Sequence, residues 1–259
     1  MKDGYTEFEF DLPDALLQKL INVFNALPPA PMREANVSAI PEEQGVYQLF
    51  LVQDGQANLV YVGKTDAAAG LQRRLLRHAK KIQNRQNLDP GLVLFKAVRV
   101  FVFTAVDLET QLIKHYGGTA EVRWNGSGFG SNDPGEKRDT TTYKADHFDT
   151  QFPIDIDRSL SFLVPQSASA ATILKQLKGG LPYLIRFQRA GKNSALAHPD
   201  LEATEITLTA MASMTPRDVI SQTVRQLPPG WHATMLPSHI IIYKDDRRVF
   251  PSGHLIART

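Results

Sequence analysis

The chain has no cysteine in 259 residues, which excludes disulfides, thiol nucleophiles and every Cys-ligated zinc site. No apolar run approaches the roughly 18 residues that a membrane helix needs. The first residues, Met-Lys-Asp-Gly-Tyr-Thr-Glu, lack the basic and then apolar segments of a secretory signal. Net charge is also scarce: 29 Lys and Arg against 27 Asp and Glu leave +2, too little to indicate nucleic acid by itself. Internal repeats and low-complexity tracts are missing as well. These absences predict a soluble cytoplasmic protein with no membrane partner. The 42 % of hydrophobic residues is ample for a packed core in one large domain or two small ones.

The charge that is present is unevenly placed. Lys64, Arg73, Arg74, Arg77, Lys80, Lys81 and Arg85 face a single Asp66 between 64 and 85. Residues 1–157 hold 17 Lys/Arg and 21 Asp/Glu, whereas the residues from 169 onward hold 11 against 6. A locally acidic first half therefore carries one concentrated basic segment, and a mildly basic part follows. Clustered cations attract phosphates; the bland alternative is the solvated face of a helix.

Apolar residues at 16, 17, 20, 23, 24 and 27 predict a helix over 12–27, with Pro13 and Asp14 in its first turn. GVYQLFLV at 45–52 and NLVYV at 58–62, with Asp54-Gly55 between them, predict a hairpin. GLQRRLLRHAKKIQ at 70–83 predicts a helix with Leu71, Leu75, Ala79 and Ile82 on one face and basic residues elsewhere. A strand follows at 93–104, then a helix from LETQLIKHYGG that Asp107 caps and Gly117-Gly118 end. WNGSGFGSNDPGEKRD at 124–139 predicts a long surface loop. The sum is a compact ββαβα unit of the α/β (α+β) class.

VPQSASA at 164–170 reads as a linker to a second α+β domain. That domain is expected to hold a helix at 169–178, strands at 182–188 and 205–212, a helix at 216–227 and a hairpin at 240–250. The expected organisation is an N-terminal helical extension (1–40), a core domain (41–160) and a C-terminal accessory domain (165–259).

Two glycine patterns are excluded as phosphate cradles. Gly63-Lys64-Thr65 has Asn58, in a strand, where a P-loop needs glycine. Gly126, Gly128 and Gly130 have neither a strand before them nor a helix after. His115, His147, His198, His232, His239 and His254 show no HxH or HxxxH spacing, so no structural metal is predicted.

One combination stands out. Gly45-Val46-Tyr47 and Tyr61-Val62-Gly63 fall on adjacent strands, Arg74 and His78 stand four apart on the next helix, Glu109 opens the following helix, and Asn125 comes after it. In this order the set resembles the GIY-YIG nuclease superfamily, over roughly residues 40–150. The segment Val60–Lys64, the run Leu71–His78, Trp124-Asn125, Gly128-Phe129-Gly130 and Asn132-Asp133-Pro134-Gly135 are similar to its type II restriction endonuclease branch, which recognises GC-rich palindromes. The resemblance implies a small central antiparallel sheet flanked by helices.

It also implies roles. Glu109 would hold one Mg2+ (or Mn2+) per active site, Arg74 would contact the scissile phosphate, and Tyr47 would be the general base. A free phenol has a pKa near 10, so Tyr47 needs positive charge nearby, from Lys64, His78 or the metal. Tyr61 and His78 would orient water or relay protons; Asn125 would bond the Glu109 side or the phosphate. Arg73, Arg77, Lys80, Lys81 and Arg85 are read as sequence-independent phosphate contacts, and the loop carrying Lys137 and Arg138 as the base reader. The expected protein is a metal-dependent DNA endonuclease of restriction or anti-phage defence acting on double-stranded DNA. A palindromic target would imply a homodimer, and the C-terminal domain could take a partner protein or ligand. The alternatives are a structure-selective or ligand-regulated effector nuclease and an inactive DNA-binding protein.

Overall fold

The computed structural model describes residues 4, 11–66, 68–101, 108–131, 133, 135–209 and 213–259. Asp107, positions 102–104 of the expected strand, Asn132, Pro134 and positions 210–212 lie outside the described residues. The protein is mixed α/β, and the chain divides into two compact units: residues up to Ala79 with Pro90–Gly126, and Lys80–Asp89 with Ser127–Thr259.

The first unit comprises α1 (Leu12–Ala26), β1 (Ala30–Pro31), α2 (Glu34–Ser38), β2 (Gly45–Gln53), β3 (Gln56–Thr65), most of α3 (Leu71–Lys81), β4 (Val93–Arg99) and α4 (Leu108–His115). The Asp11 carboxylate caps α1 by accepting from Asp14 N at 2.9 Å, and Pro13 sits in its first turn. The sheet order is β1-β4-β2-β3, with every neighbour antiparallel. Asp54 and Gly55 both have positive φ (52° and 76°), the conformation that a two-residue hairpin turn demands. The predicted order β-β-α-β-α is thus realised over 45–115.

The sheet has two covered faces. Val46 and Val62 pack with Leu20, Ile21, Phe24, Leu108 and Leu112, so α1 and α4 cover that face. Tyr47 lies opposite Gly63, and Leu49 opposite Tyr61, on the other face, which α3 covers with Leu71, Leu75 and His78. The first 40 residues are therefore no extension: α1 supplies core residues and Ala30–Pro31 pairs with β4. β4 ends at Arg99, short of the predicted strand end.

The second unit holds α5 (Phe148–Gln151), β5 (Ser167–Ser169), α6 (Ala170–Gly180), β6 (Leu184–Phe187), α7 (Pro199–Ala203), β7 (Glu205–Thr207), α8 (Pro216–Arg225), β8 (Trp231–Leu236), β9 (His239–Lys244) and β10 (His254–Arg258). Its four-stranded sheet runs β10-β8-β9-β6, with β6 parallel to β9, and β5 pairs separately with β7. A continuous apolar core joins Ile173, Leu174 and Leu177 to Val219, Ile220, Trp231 and Ile240. Thr215 and Asp218 form a reciprocal capping box on α8.

Three expectations need correction here. The linker is structural: Ala168 pairs with Ile206, and the Ser169 hydroxyl caps α6. The hairpin is Trp231–Lys244 rather than 240–250, because Trp231–Leu236 is mostly buried and pairs antiparallel with β9, while Asp246 is bonded by the Arg248 guanidinium. The compact units do not divide at 160–165 either. Ile154 and Ile156 belong to the C-terminal core, and polar contacts tie 127–150 to the same unit.

Those contacts correct the reading of 124–139 as a surface loop in part: Gly126, Ser131, Asp133, Glu136 and Lys137 are exposed, but other side chains turn inward. Phe129 is buried against Phe148 (centroids 4.7 Å apart), and Trp124, Asn125, Ser127 and Asp139 are buried too. Asp139 accepts from Tyr243 Oη at 2.8 Å, contacts His239 Nε2 at 2.8 Å and pairs with Arg186, which also grips Asp133. His239, one of the unremarkable histidines of the sequence, is thus a link in the core of this unit.

Candidate active site

The first unit gathers four of the expected residues on one sheet face. Tyr47 comes from the middle strand β2, Tyr61 from β3, and Arg74 and His78 from successive turns of α3. The four-residue spacing puts Arg74 and His78 on one side of that helix. Tyr47 Oη lies 2.8 Å from His78 Nε2, and Arg74 Nε donates to the same oxygen at 3.3 Å. The Tyr61 ring stands 6.0 Å from Tyr47 and edge-on to His78 at 5.4 Å. Tyr47, Tyr61 and His78 are all buried; Arg74 is half-buried at the margin.

Two glycines make room for this cluster. A methyl at Gly63 would overlap the Tyr47 hydroxyl, and one at Gly45 would overlap Val98 O and the Leu71 side chain. The glycines of the two tripeptides are therefore spacers under a tyrosine and a helix. The sequence carried the signal, a glycine directly opposite an aromatic in the hairpin register.

Burial, reinforced by Tyr61, pushes the Tyr47 phenol well above its ordinary value, and Arg74 only partly opposes this. Tyr47 is therefore a phenol at neutral pH. Arg74 Nε donates to its oxygen, and the direction of the bond between Tyr47 Oη and His78 Nε2 is set by the His78 tautomer. Protonation of Arg77 is disfavoured by partial burial and by Arg74 beside it. Two adjacent guanidiniums at the margin of a buried phenol make a strong anion attractor. Arg77, exposed on the same helix, is close enough to Arg74 to feel its charge.

Other expected residues fall elsewhere. Lys64 leaves β3 opposite Val46, on the face away from Tyr47, and is exposed; the charge beside Tyr47 is Arg74. The Asn125 side chain is engaged by the sheet. Its amide pairs at both ends with Val62, accepting from N and donating to O at 2.8 Å each. Glu109 occupies the first turn of α4, half-buried, on the helix that packs against Val46 and Val62. Among the described residues, no group of three or more His, Asp or Glu side chains gathers as a metal cage.

The basic residues divide sharply. Arg73 is exposed and pairs with Glu42 at 3.0 Å. Arg85 is buried and donates to Asp149 at 2.8 Å and to Phe152 O at 3.0 Å. Arg138 pairs with the other oxygen of Asp149 and donates to Tyr143 Oη. Lys81 donates to the carbonyls of Gly128 and Phe129 at 3.0 and 2.7 Å. Lys81, Arg85 and Arg138 are thus structural cations of the second unit, because a buried carboxylate and inward-turned carbonyls need them. Lys80 and Lys137 are exposed. No family model matches the chain, and no curated protein is similar to it.

Proposed function

We propose that the first unit is the catalytic unit of a metal-dependent DNA endonuclease with a GIY-YIG-type core, serving restriction or another anti-phage defence. The observation that carries this reading is the Tyr47 hydroxyl held between His78 Nε2 and Arg74 Nε, on the hairpin and helix where the sequence resemblance places it. Phosphodiester hydrolysis needs a base for the attacking water and a cation for the phosphate. Arg74 and Arg77 bind the phosphate, with Arg74 turning from the phenol toward it. The phenol proton passes to His78 Nε2 as Tyr47 Oη takes one from water. The water oxygen bonds to phosphorus, the ester P–O bond breaks, and the leaving oxygen takes a proton from solvent. This relay needs no free phenolate, which suits a phenol whose pKa is raised.

Glu109 would hold the Mg2+ (or Mn2+). A single half-buried carboxylate fits a cation that keeps most of its water, as Mg2+ does. Held by a helix on the sheet face opposite Tyr47, such an ion would supply charge stabilisation to a phosphate lying across the sheet margin. Glu109→Gln should abolish magnesium-dependent plasmid nicking while duplex binding stays within about twofold, since an amide is a poor ligand for a hard cation. Full nicking by that variant would remove Glu109 from the reaction.

A second reading is favoured by the complete burial of Tyr47. In a DNA-binding protein that keeps this frame without cleaving, Tyr47, His78 and Arg74 are a polar core. Nicking of plasmid by the full chain with magnesium, lost in Arg74→Ala, separates the two readings.

A further inference from the structure

The second unit contains a pocket of about 250 Å³ where the end of α3, the segment 158–162 and the C-terminal end of α6 meet. Lys80 and Arg158 supply two exposed cations, Gln83 and Asn84 supply amide side chains, and Leu160 and Phe162 supply an apolar wall. Among the described residues, no carboxylate lines it. The nearest acid in sequence, Asp157, is engaged by the Arg217 guanidinium through both oxygens. Arg158 lies 3.5 Å from the Asn84 amide oxygen and forms no ion pair among the described residues. The Phe162 ring lies against Gly180, where any side chain would strike it, so its position is fixed by a residue without a Cβ.

We propose that this pocket seats one nucleotide of an unpaired DNA strand, its phosphate between Lys80 and Arg158 and its base against the Phe162 wall. Paired cations without an acid select an anion, and an aromatic and aliphatic wall beside them selects one that carries a flat apolar group. Gln83 and Asn84 add amide side chains to the polar side of the pocket. The volume is below the roughly 300–1,000 Å³ of sites that enclose a whole small ligand, which favours one unit of a longer chain. The assignment rests on DNA being the substrate of the protein, and it is independent of whether the first unit cleaves.

The test uses the full chain and a fluorescently labelled oligothymidylate, read by anisotropy in buffer without divalent metal. Lys80→Gln with Arg158→Gln should weaken binding at least tenfold, and the slope of log K against log salt should fall by about 0.7 for each lost phosphate contact. Phe162→Leu should weaken binding severalfold with the salt slope unchanged. Tyr47→Phe, which removes no proposed phosphate contact, should lower nicking while the oligothymidylate affinity stays within about threefold, so failure of the cleavage reading leaves this measurement intact. Wild-type affinity in the double variant overturns the site. Equal affinity for thymidine monophosphate and the oligomer overturns the strand, because a free nucleotide would then fill the pocket.

Discussion

Asn125 completes the edge of a sheet by pairing its side-chain amide with the backbone of Val62, at 2.8 Å through both N–H and C=O. β3 is the last strand of its sheet, so the outward groups of Val62 have no neighbouring strand. Trp124 N donates one step further along, to Val60 O at 2.8 Å. Residues 124–125 thus stand where another strand would pair, and they protect an otherwise open edge.

Asn125→Ala should therefore act on stability first. It leaves a buried N–H and C=O unpaired, which costs about 2 kcal/mol. Chemical denaturation should show the loss, and any residual nicking rate per folded molecule should stay within a few-fold of wild type. A rate collapse at unchanged stability would return Asn125 to the reaction.

Gly63→Ala tests the spacing of the site without touching a polar group. The added methyl overlaps the Tyr47 hydroxyl, so the ring must shift away from His78 and Arg74. Overpacking of this kind costs about 1–3 kcal/mol. Cleavage should fall at least 100-fold, because the relay depends on sub-ångström alignment. A folded Gly63→Ala variant that nicks at the wild-type rate would show that the phenol does not need its present position.

Tyr47→Phe deletes a single oxygen from a fully buried ring and keeps the packing. It should lower nicking by about 100-fold or more. It also strands His78 Nε2 and lowers stability by roughly 1 kcal/mol. An unchanged rate would make the tyrosine part of the core and favour the non-cleaving reading; His78→Gln would then be the next variant to assay.

Local rules carried much of this fold, and they failed where a partner distant in sequence decides. The hairpin at 45–65 is set by alternation and by Asp54-Gly55, both local features. The cluster of Tyr47, Tyr61, Arg74 and His78 was legible because each lies on a regular element whose face the pattern fixes. The segment 124–139 looked like surface because glycine, asparagine and charge dominate it. Its last residue is nevertheless buried, because Asp139 meets Arg186, His239 and Tyr243, which lie 47 to 104 positions away. The basic run misled for the same reason: Arg85 and Arg138 are consumed by Asp149, 64 and 11 positions off. Nothing in the spacing of a single charge reveals its distant counter-ion.

That buried pair gives the last prediction. Arg85 and Asp149 are both almost fully inaccessible, with side-chain exposures of 4 % and 0 %. Removing Arg85 leaves the buried Asp149 with Arg138 on its other oxygen only, and breaking a buried pair typically costs about 3–5 kcal/mol. Arg85→Ala should therefore destabilise the protein strongly, whereas a mere phosphate contact would weaken DNA binding and leave stability unchanged. The carboxylate adds a pH signature. Burial alone would raise the pKa of Asp149, but Arg85, Lys81 and Arg138 outweigh it and hold the group below its ordinary value. Asp139 is lowered in the same way: the bonds from His239 and Tyr243, with Arg186 nearby, outweigh its burial. A pKa depressed on folding gives stability that is fully present above the unfolded value, near 4, and is lost as pH falls through the folded value. Wild-type stability should thus hold through neutral pH and drop steeply below about pH 4. Asp149→Asn should start lower and show a shallower acid limb, since one of the two coupled protonations is gone. Urea midpoints measured from pH 7 to pH 3 decide the matter. Parallel acid limbs in the two proteins would mean that Asp149 is not held ionised by its arginines.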